Sequence, residues 1–439
     1  MKTYHLTTFG CQMNKSDSER IITVLEQQLK LKSTPQESAD LLIFNLCSVR
    51  QSAVDRVWGA IAKNKKQITN NKKTFTIITG CILEADKKKL ASKVGLILDI
   101  KDLANWPMII QSVINKKKRA TNDSRQTTYN KRLMTNEKLL MKNDYFSITP
   151  QYSSFFSAYV PIMTGCNNFC SYCVVPYTRN REVSRPVEEI MTEVKSLIRK
   201  GYKEIILLGQ NVNSFNGQQK TTNKKQKTIK FPELLKMIDA LPGDYWLSFV
   251  TSHPKDMSSD LIACFKECAH LMPYIHLPVQ SGSNKILKAM NRNYTAQHYQ
   301  RLVSKIRKTN TGICISTDII VGFPGETKTD FENTARFMKK IKFDMAYLAQ
   351  YSARAGTAAA KFKDDVQQNE KKHREKILNE ILKKTALANN KKMTGQTITV
   401  LVESIKNGYA LGHTWHMKHV KILTTDLPRR QAGNRRQII

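Results

Sequence analysis

Short apolar runs alternate with longer amphipathic stretches along most of this chain, and the two periods predict strands and helices in turn. In the first hundred residues the strand-like runs are Tyr4–Phe9, Leu41–Asn45, Phe75–Thr79 and Leu96–Ile100. Helical patterning runs from about Ser16 to Lys30, and again from the second strand to about Ala62. This alternation predicts an α/β fold opening with a parallel, doubly wound sheet.

From Gln111 to Pro150 the periodicity gives way to polar, basic sequence (NKKKRATNDSRQTTYNKRL), read as a linker. It then returns with six strand-like runs: Tyr159–Met163, Glu204–Leu208, Trp246–Val250, Tyr274–Leu277, Ile313–Val321 and Met345–Tyr351. Helical segments separate most of them: Pro186–Lys200, Phe231–Leu241, Ser258–His270, Asn284–Met290 with Thr295–Thr309, and Lys328–Lys340. Six consecutive βα units predict a partial (β/α)6 barrel of the TIM type, with its chemistry at the strand carboxyl ends. Gln218–Lys230 reads as a polar, basic insertion and a mobile surface loop. After a lysine-rich helical stretch, Asn369–Lys392, the alternation of Gln396–Ser404 and the run Val420–Leu423 predict a small C-terminal β domain. The expected boundaries are 1–115, a basic linker over 116–151, a core over 152–392, and 393–439.

Composition alone is ordinary, at 41% hydrophobic and 24% charged residues over 439 positions. Charge changes the picture: 71 Lys+Arg against 36 Asp+Glu leave +35. Such a surplus attracts polyanions through counterion release, and nucleic acid is the leading partner. Lys116–Arg119, Lys224–Lys227 and the tail arginines Arg429, Arg430, Arg435 and Arg436 add nonspecific attraction. No apolar run approaches the ~20 residues that span a bilayer. The first residues, MKTYHLTTFGCQ, lack the apolar stretch of a signal peptide. The expectation is a cytoplasmic protein with no membrane partner, in which spaced cysteines are metal or catalytic sites rather than disulfides.

Six of the nine cysteines fall into two triplets. Cys166, Cys170 and Cys173 form a compact C-x3-C-x2-C motif after the first strand of the core. Three thiolates are one short of a closed tetrahedral zinc or a fully ligated iron–sulfur cluster. They fit a [4Fe–4S] cluster with one iron open to the amino and carboxylate groups of S-adenosylmethionine. A zinc site completed by histidine is the competing reading, and no histidine lies nearby in sequence. Cys11, Cys47 and Cys81 are more than thirty positions apart, yet each follows a strand of the first domain. Open α/β sheets bind ligands outside the carboxyl ends of their strands, so the three converge on one rim. Cys264, Cys268 and Cys314 read as core residues.

Gly209-Gln210-Asn211-Val212-Asn213 follows the second strand of the core, and Gly322-Phe323-Pro324-Gly325-Glu326 the fifth. Glycine there lets backbone approach a cofactor, and it also serves plain turns. His253, His276 and Arg292 lie near strand ends, where structural and catalytic roles both remain open.

Longer motifs carry a resemblance: TFGCQMNKSDSER at Thr8–Arg20, NLCSVR at Asn45–Arg50, and GCNNFCSYCVVPYTRNREVSRP at Gly165–Pro186. LLGQNVNS at Leu207–Ser214, TSHPKD at Thr251–Asp256, HLPVQSGSNKILKAMNR at His276–Arg292 and DIIVGFPGET at Asp318–Thr327 extend it over essentially the whole chain. The chain resembles the methylthiotransferases of the radical S-adenosylmethionine superfamily. Within them it is most similar to the tRNA-2-methylthio-N6-dimethylallyladenosine synthase branch. Leu46 stands where that family usually has threonine. Ala353, Ala355 and Ala358 occupy usual proline positions, and the C-terminal region is short.

The resemblance implies a methylthiotransferase domain, a radical core and a shortened RNA-binding TRAM-like domain. By motif match, Cys11, Cys47 and Cys81 would hold an auxiliary [4Fe–4S] cluster, and Cys166, Cys170 and Cys173 the radical-generating one. Tyr172, Gln210, Asn211 and Gly322 are the expected contacts to S-adenosylmethionine. The implied reaction adds a methylthio group to C2 of N6-isopentenyladenosine at position 37 of tRNA. An electron donor and a sulfur or cluster-assembly source would be its further partners, and the chain would act as a monomer. Alternatives are action on N6-threonylcarbamoyladenosine in tRNA, or a noncatalytic iron–sulfur RNA-binding protein.

Overall fold

The computed structural model describes residues 1–49, 51–67, 74–119, 145–220 and 226–426. These fall into two compact units, one of Met1–Ser153 with Tyr177–Arg179, the other of Ser154–Pro176 with Asn180–Ile439. Both are α/β with parallel sheets.

The first unit is a five-stranded sheet of β1 (Thr3–Phe9), β2 (Lys32–Ser33), β3 (Leu41–Cys47), β4 (Phe75–Cys81) and β5 (Leu96–Ile97). Its order is β2-β1-β3-β4-β5, every pair parallel. All seven residues of β3 are buried, as the central strand of a two-faced parallel sheet requires. Its side chains alternate between two cores. Leu41 and Ile43 join Ile21 and Val24 on one face. Leu42, Phe44 and Leu46 join Val54, Val57 and Ile61 on the other. That division is the doubly wound arrangement the sequence pattern predicts. The helices are α1 (Gln12–Thr23), α2 (Gln51–Gln67), α3 (Glu84–Ala91) and α4 (Trp106–Arg119).

Two features depart from expectation here. Strand β2, at the sheet edge, was not foreseen: both residues are exposed, so no apolar run marks it. The stretch expected as linker starts as the end of α4, and residues 120–144 lie outside the described residues. Its last part is core rather than linker. Tyr145, Phe146 and Ile148 are buried against Trp106 and Ile110, because aromatic and aliphatic side chains there complete the first face.

The second unit carries six parallel strands in two sheets. These are β6 (Ser157–Pro161), β9 (Glu204–Leu208) and β12 (Trp246–Phe249), then β13 (Tyr274–His276), β14 (Cys314–Val321) and β15 (Met345–Gln350). An isolated parallel bridge from Leu247 to Leu271 links β12 to the approach to β13. Short strands β7 (Met163–Thr164) and β8 (Val183–Ser184) pair across the segment between them. Gln218–Lys230 is not a loop: β10 (Asn216–Lys220) and β11 (Gln226–Lys230) form an antiparallel hairpin. Buried Ile229 anchors a ribbon whose other described positions are mostly polar, which hid its period. Residues 221–225, which hold part of the Lys224–Lys227 run, lie outside the described residues, as do the tail arginines. No helix among the described residues is long and apolar enough to cross a membrane.

At the end of the chain β16 (Val400–Lys406), β17 (Tyr409–Thr414) and β18 (His419–Leu423) form an antiparallel sheet. It docks through Leu401, Trp415 and Met417 onto Trp246 and Met272. His413 is buried at this contact, with Nε2 3.1 Å from Glu204 and Nδ1 2.6 Å from Glu403. Burial pushes its pKa down, and the two carboxylates overcome that and raise it to about 9. The raised value means the stabilisation is fully present below about pH 6.5, the unfolded value, and is lost as pH rises through about 9. We expect about 3 kcal/mol to disappear across that window. Urea midpoints at pH 6 and pH 10 should differ less in His413→Gln than in the parent; an equal difference in both would contradict the assignment.

Candidate functional site

Parallel register places the dispersed cysteines together. Cys47 ends β3, Cys81 ends β4, and the two are direct partners across the ladder. Cys11 follows β1 as the N-cap residue of α1. The order β2-β1-β3 puts the topological switch point between β1 and β3, where open α/β sheets bind ligands. The Cys47 thiol feels those of both Cys11 and Cys81. These contacts push Cys47 up; those from Cys47 pull Cys11 down to about 6 and lower Cys81. Gly80, with φ +105°, brings Cys81 in: a Cβ there would sit 2.2 Å from the Leu46 carbonyl oxygen.

Around these thiols lies a buried polar network that sequence reasoning missed. Asn14 Nδ2 donates to Asn45 Oδ1 at 2.9 Å, and Asn45 Nδ2 donates to the Asn14 carbonyl at 2.8 Å. The Asn14 Oδ1 accepts from the Cys11 amide at 3.3 Å. This ties α1 to β3 beside the cysteines. Arg179, from the segment of the compact motif, belongs to this unit. Its Nε donates to Cys81 Sγ at 2.8 Å, and its Nη atoms pair with the Asp17 carboxylate, one at 3.3 Å. Tyr145 donates its hydroxyl to Asp17 Oδ1 at 2.6 Å. Arg179 and Asp17 are 3% and 0% exposed, so each charge depends on the other. The available signal was the run Asn14, Ser16, Asp17 and Ser18 just after Cys11, with Asn45 inside an otherwise apolar strand.

The compact triplet belongs to the second unit. Gly165, φ +82°, turns the chain out of β7, and a Cβ there would lie 2.1 Å from the Arg181 carbonyl oxygen. The Cys173 amide donates to the Cys170 carbonyl at 2.9 Å, closing the motif into a turn. Burial pushes the Cys166 thiol up, and Cys173 up to about 12. Arg292, a role left open by sequence, donates Nη1 to Cys170 Sγ at 3.4 Å and Nη2 to the Pro278 carbonyl at 2.5 Å. Each triplet therefore has one buried arginine at one thiol.

The expected cofactor contacts divide. Gln210 accepts the Gly165 amide proton at 2.6 Å, so it holds the cysteine turn directly. Asn211 is buried and donates to Asp256 at 2.7 Å and Ser214 at 3.0 Å. Tyr172 packs against Met290, Phe323 and Tyr351. Gly322, φ +68°, donates its amide to Glu326 at 2.6 Å and is backed by Lys371. His276 bonds Ser316 at 2.9 Å and lies 3.4 Å from Asp318.

Buried side-chain atoms without partners collect beyond the carboxyl ends of neighbouring strands: Thr164 Oγ1, Asn211 Oδ1, Asn213 Oδ1, Ser252 Oγ, His253 Nε2 and Gln280 Oε1. Burial lowers the His253 pKa to about 2, so its ring is neutral. Thr251 and Gln280, on the same rim, both have φ of +72°. Such strain in non-glycine residues collects at ligand sites. Orphaned acceptors and donors on one rim fit a polar ligand such as an amino-acid and ribose-bearing cofactor. Both triplets supply soft thiol donors, the set that iron–sulfur clusters use. Among the described residues, no group of three or more His, Cys, Asp or Glu side chains forms a ready metal-ion site.

Comparison with known proteins adds to this geometry. Residues 160–338 match the Radical SAM superfamily, and residues 3–99 match Uncharacterized protein family UPF0004. A tRNA-2-methylthio-N(6)-dimethylallyladenosine synthase of Clostridium botulinum is 41% identical over 91% of this chain and 86% of its own. The protein of the same name from Caldicellulosiruptor saccharolyticus is 38% identical over 97% and 88%. Among solved structures, the radical S-adenosylmethionine methyltransferase TsrM from Kitasatospora setae aligns with a TM-score of 0.49 and 12% identity. That alignment covers 80% of this chain and 73% of TsrM.

The asparagine pair gives a direct test of the first site. Asn45→Ala removes the bonds to Asn14 and Ser18, leaving the buried Asn14 amide only its longer bond to the Leu46 carbonyl, and should cost about 1–3 kcal/mol. A lowered urea unfolding midpoint is the expected outcome; an unchanged midpoint would show that the network does not bear on stability.

Proposed function

The chain belongs to the tRNA-2-methylthio-N(6)-dimethylallyladenosine synthase family, and from that membership we propose that it adds a methylthio group to C2 of N6-isopentenyladenosine at position 37 of tRNA. The observation that carries this reading is the pair of cysteine triplets, each at strand carboxyl ends, in a chain so similar to those synthases. The radical S-adenosylmethionine family uses a [4Fe–4S] cluster and S-adenosylmethionine, and here Cys166, Cys170 and Cys173 would hold that cluster. Cys11, Cys47 and Cys81 would hold a second [4Fe–4S] cluster that carries the sulfur. Together the groups supply a deoxyadenosyl radical for the unactivated C2–H bond and sulfur for the new C–S bond.

The chain's own residues do the rest. Gln210 and Gly165 fix the turn that presents the compact cysteines. Asn211, with Tyr172 and Gly322 further along the rim, would orient the cofactor. The neutral His253 and Gln280, each with an unpartnered atom, would join them. We read the six parallel strands as a partial (β/α)6 barrel of the TIM type. The antiparallel sheet of β16, β17 and β18 is then a shortened TRAM-like module. A net charge of +35 supports a polyanionic substrate.

Iron analysis of the anaerobically reconstituted protein tests this reading. Two clusters require about eight irons per chain, and one about four. Cys11→Ala should lower iron to about four and abolish methylthiolation while S-adenosylmethionine cleavage persists. Cys166→Ala should abolish cleavage. Iron unchanged by Cys11→Ala would overturn the second cluster, and a parent unable to cleave S-adenosylmethionine under reduction would overturn the enzyme reading.

A further inference from the structure

The Arg179 guanidinium has its three bonded nitrogens divided between two kinds of acceptor. Both Nη atoms go to the Asp17 carboxylate, and Nε goes to the Cys81 sulfur. A surface arginine would exchange such bonds with water, but this one is 3% exposed. Asp17 is itself held by the Tyr145 hydroxyl, and the Arg20 guanidinium lies 5.2 Å over the Tyr145 ring. The result is an anchored chain from Tyr145 through Asp17 and Arg179 to one thiol. Lysine could supply the charge but not the planar fork that serves a carboxylate and a sulfur together.

We propose that Arg179 is a positioning residue for the cluster at Cys11, Cys47 and Cys81, holding the Cys81 thiolate and setting the cluster's reduction potential through an N–H···S bond. The proposal rests on the reading that these cysteines hold a cluster. Reduction adds negative charge to the cluster and its thiolates, and a donor fixed at one sulfur stabilises the reduced state more than the oxidised state. Groups that orient a metal ligand also govern retention, and their loss typically costs about 10–100-fold in metal affinity. Arg292 at Cys170 is the corresponding contact in the second unit, longer at 3.4 Å.

The test uses the full chain with Cys166, Cys170 and Cys173 replaced by alanine, so that one cluster remains to be measured. Redox titration followed by electron paramagnetic resonance gives its midpoint potential, and iron release to a chelator gives its retention. Arg179→Lys should move the midpoint to a more negative value and speed iron release about 10–100-fold. Tyr145→Phe keeps the ring and removes only the bond to Asp17, so it should shift both in the same direction by less. Unfolding midpoints of the metal-free variants, measured alongside, separate loss of fold from loss of the sulfur contact. An Arg179→Lys protein with full iron and an unchanged midpoint overturns the proposal alone. A background protein that holds no iron overturns both the proposal and the cluster reading beneath it.

Discussion

Parallel pairing of β3 with β4 is the constraint on which the first site depends. Register in a sheet with two buried faces is strongly fixed, because a one-residue slip would turn every β3 side chain to the opposite core. With the register set, Cys47 and Cys81 have no choice but to face each other at the strand ends. Cys11 arrives beside them because β1 is the other neighbour of β3. Residues distant in sequence thus lie side by side without a dedicated loop.

Placing an arginine beside buried thiols carries an electrostatic requirement, and at Cys81 the structure meets it with a paired charge. Breaking one side of a buried ion pair typically costs about 3–5 kcal/mol, so Asp17 and Arg179 stay together. Their pairing fixes the guanidinium edge that meets Cys81. The second unit also sets an arginine at a thiol, but Arg292 is held by neutral acceptors, the Pro278 carbonyl and the Tyr294 hydroxyl. Positive φ at Phe169, Thr251, Gln280 and Asn291 falls around the strand ends and the cysteine turn, and other such residues lie elsewhere in the chain. In ordinary positions such φ values are selected against; here the surrounding bonds hold them. Asn291, for instance, donates to the Phe169 carbonyl at 3.0 Å.

Much of this was legible in the sequence, for physical reasons that differ by element. Strands such as β3 and β9 are buried and largely apolar, with runs such as Leu41–Phe44 and Ile205–Leu208, and announce themselves. The βα period then aligned Cys11, Cys47 and Cys81. Strand β2 and the hairpin of β10 and β11 were not legible, because exposed ribbons carry little apolar pattern. Tyr145 and Phe146 were hidden by the basic sequence before them. Arg179 was the least accessible, since its partner Asp17 lies 162 positions away and only tertiary packing joins them. Gln210 was expected as a cofactor contact from its place after a core strand, and its bond to Gly165 could not be read from spacing.

We propose that this fold directs a methylthio group to C2 of an isopentenylated adenosine in tRNA. Mass spectrometry of nucleosides from such a tRNA, incubated with the reconstituted protein, S-adenosylmethionine, a sulfide source and a reductant, tests it most directly. 2-Methylthio-N6-isopentenyladenosine should appear at the expense of N6-isopentenyladenosine, with 5′-deoxyadenosine formed alongside. Isopentenyladenosine left unchanged while 5′-deoxyadenosine accumulates would contradict it.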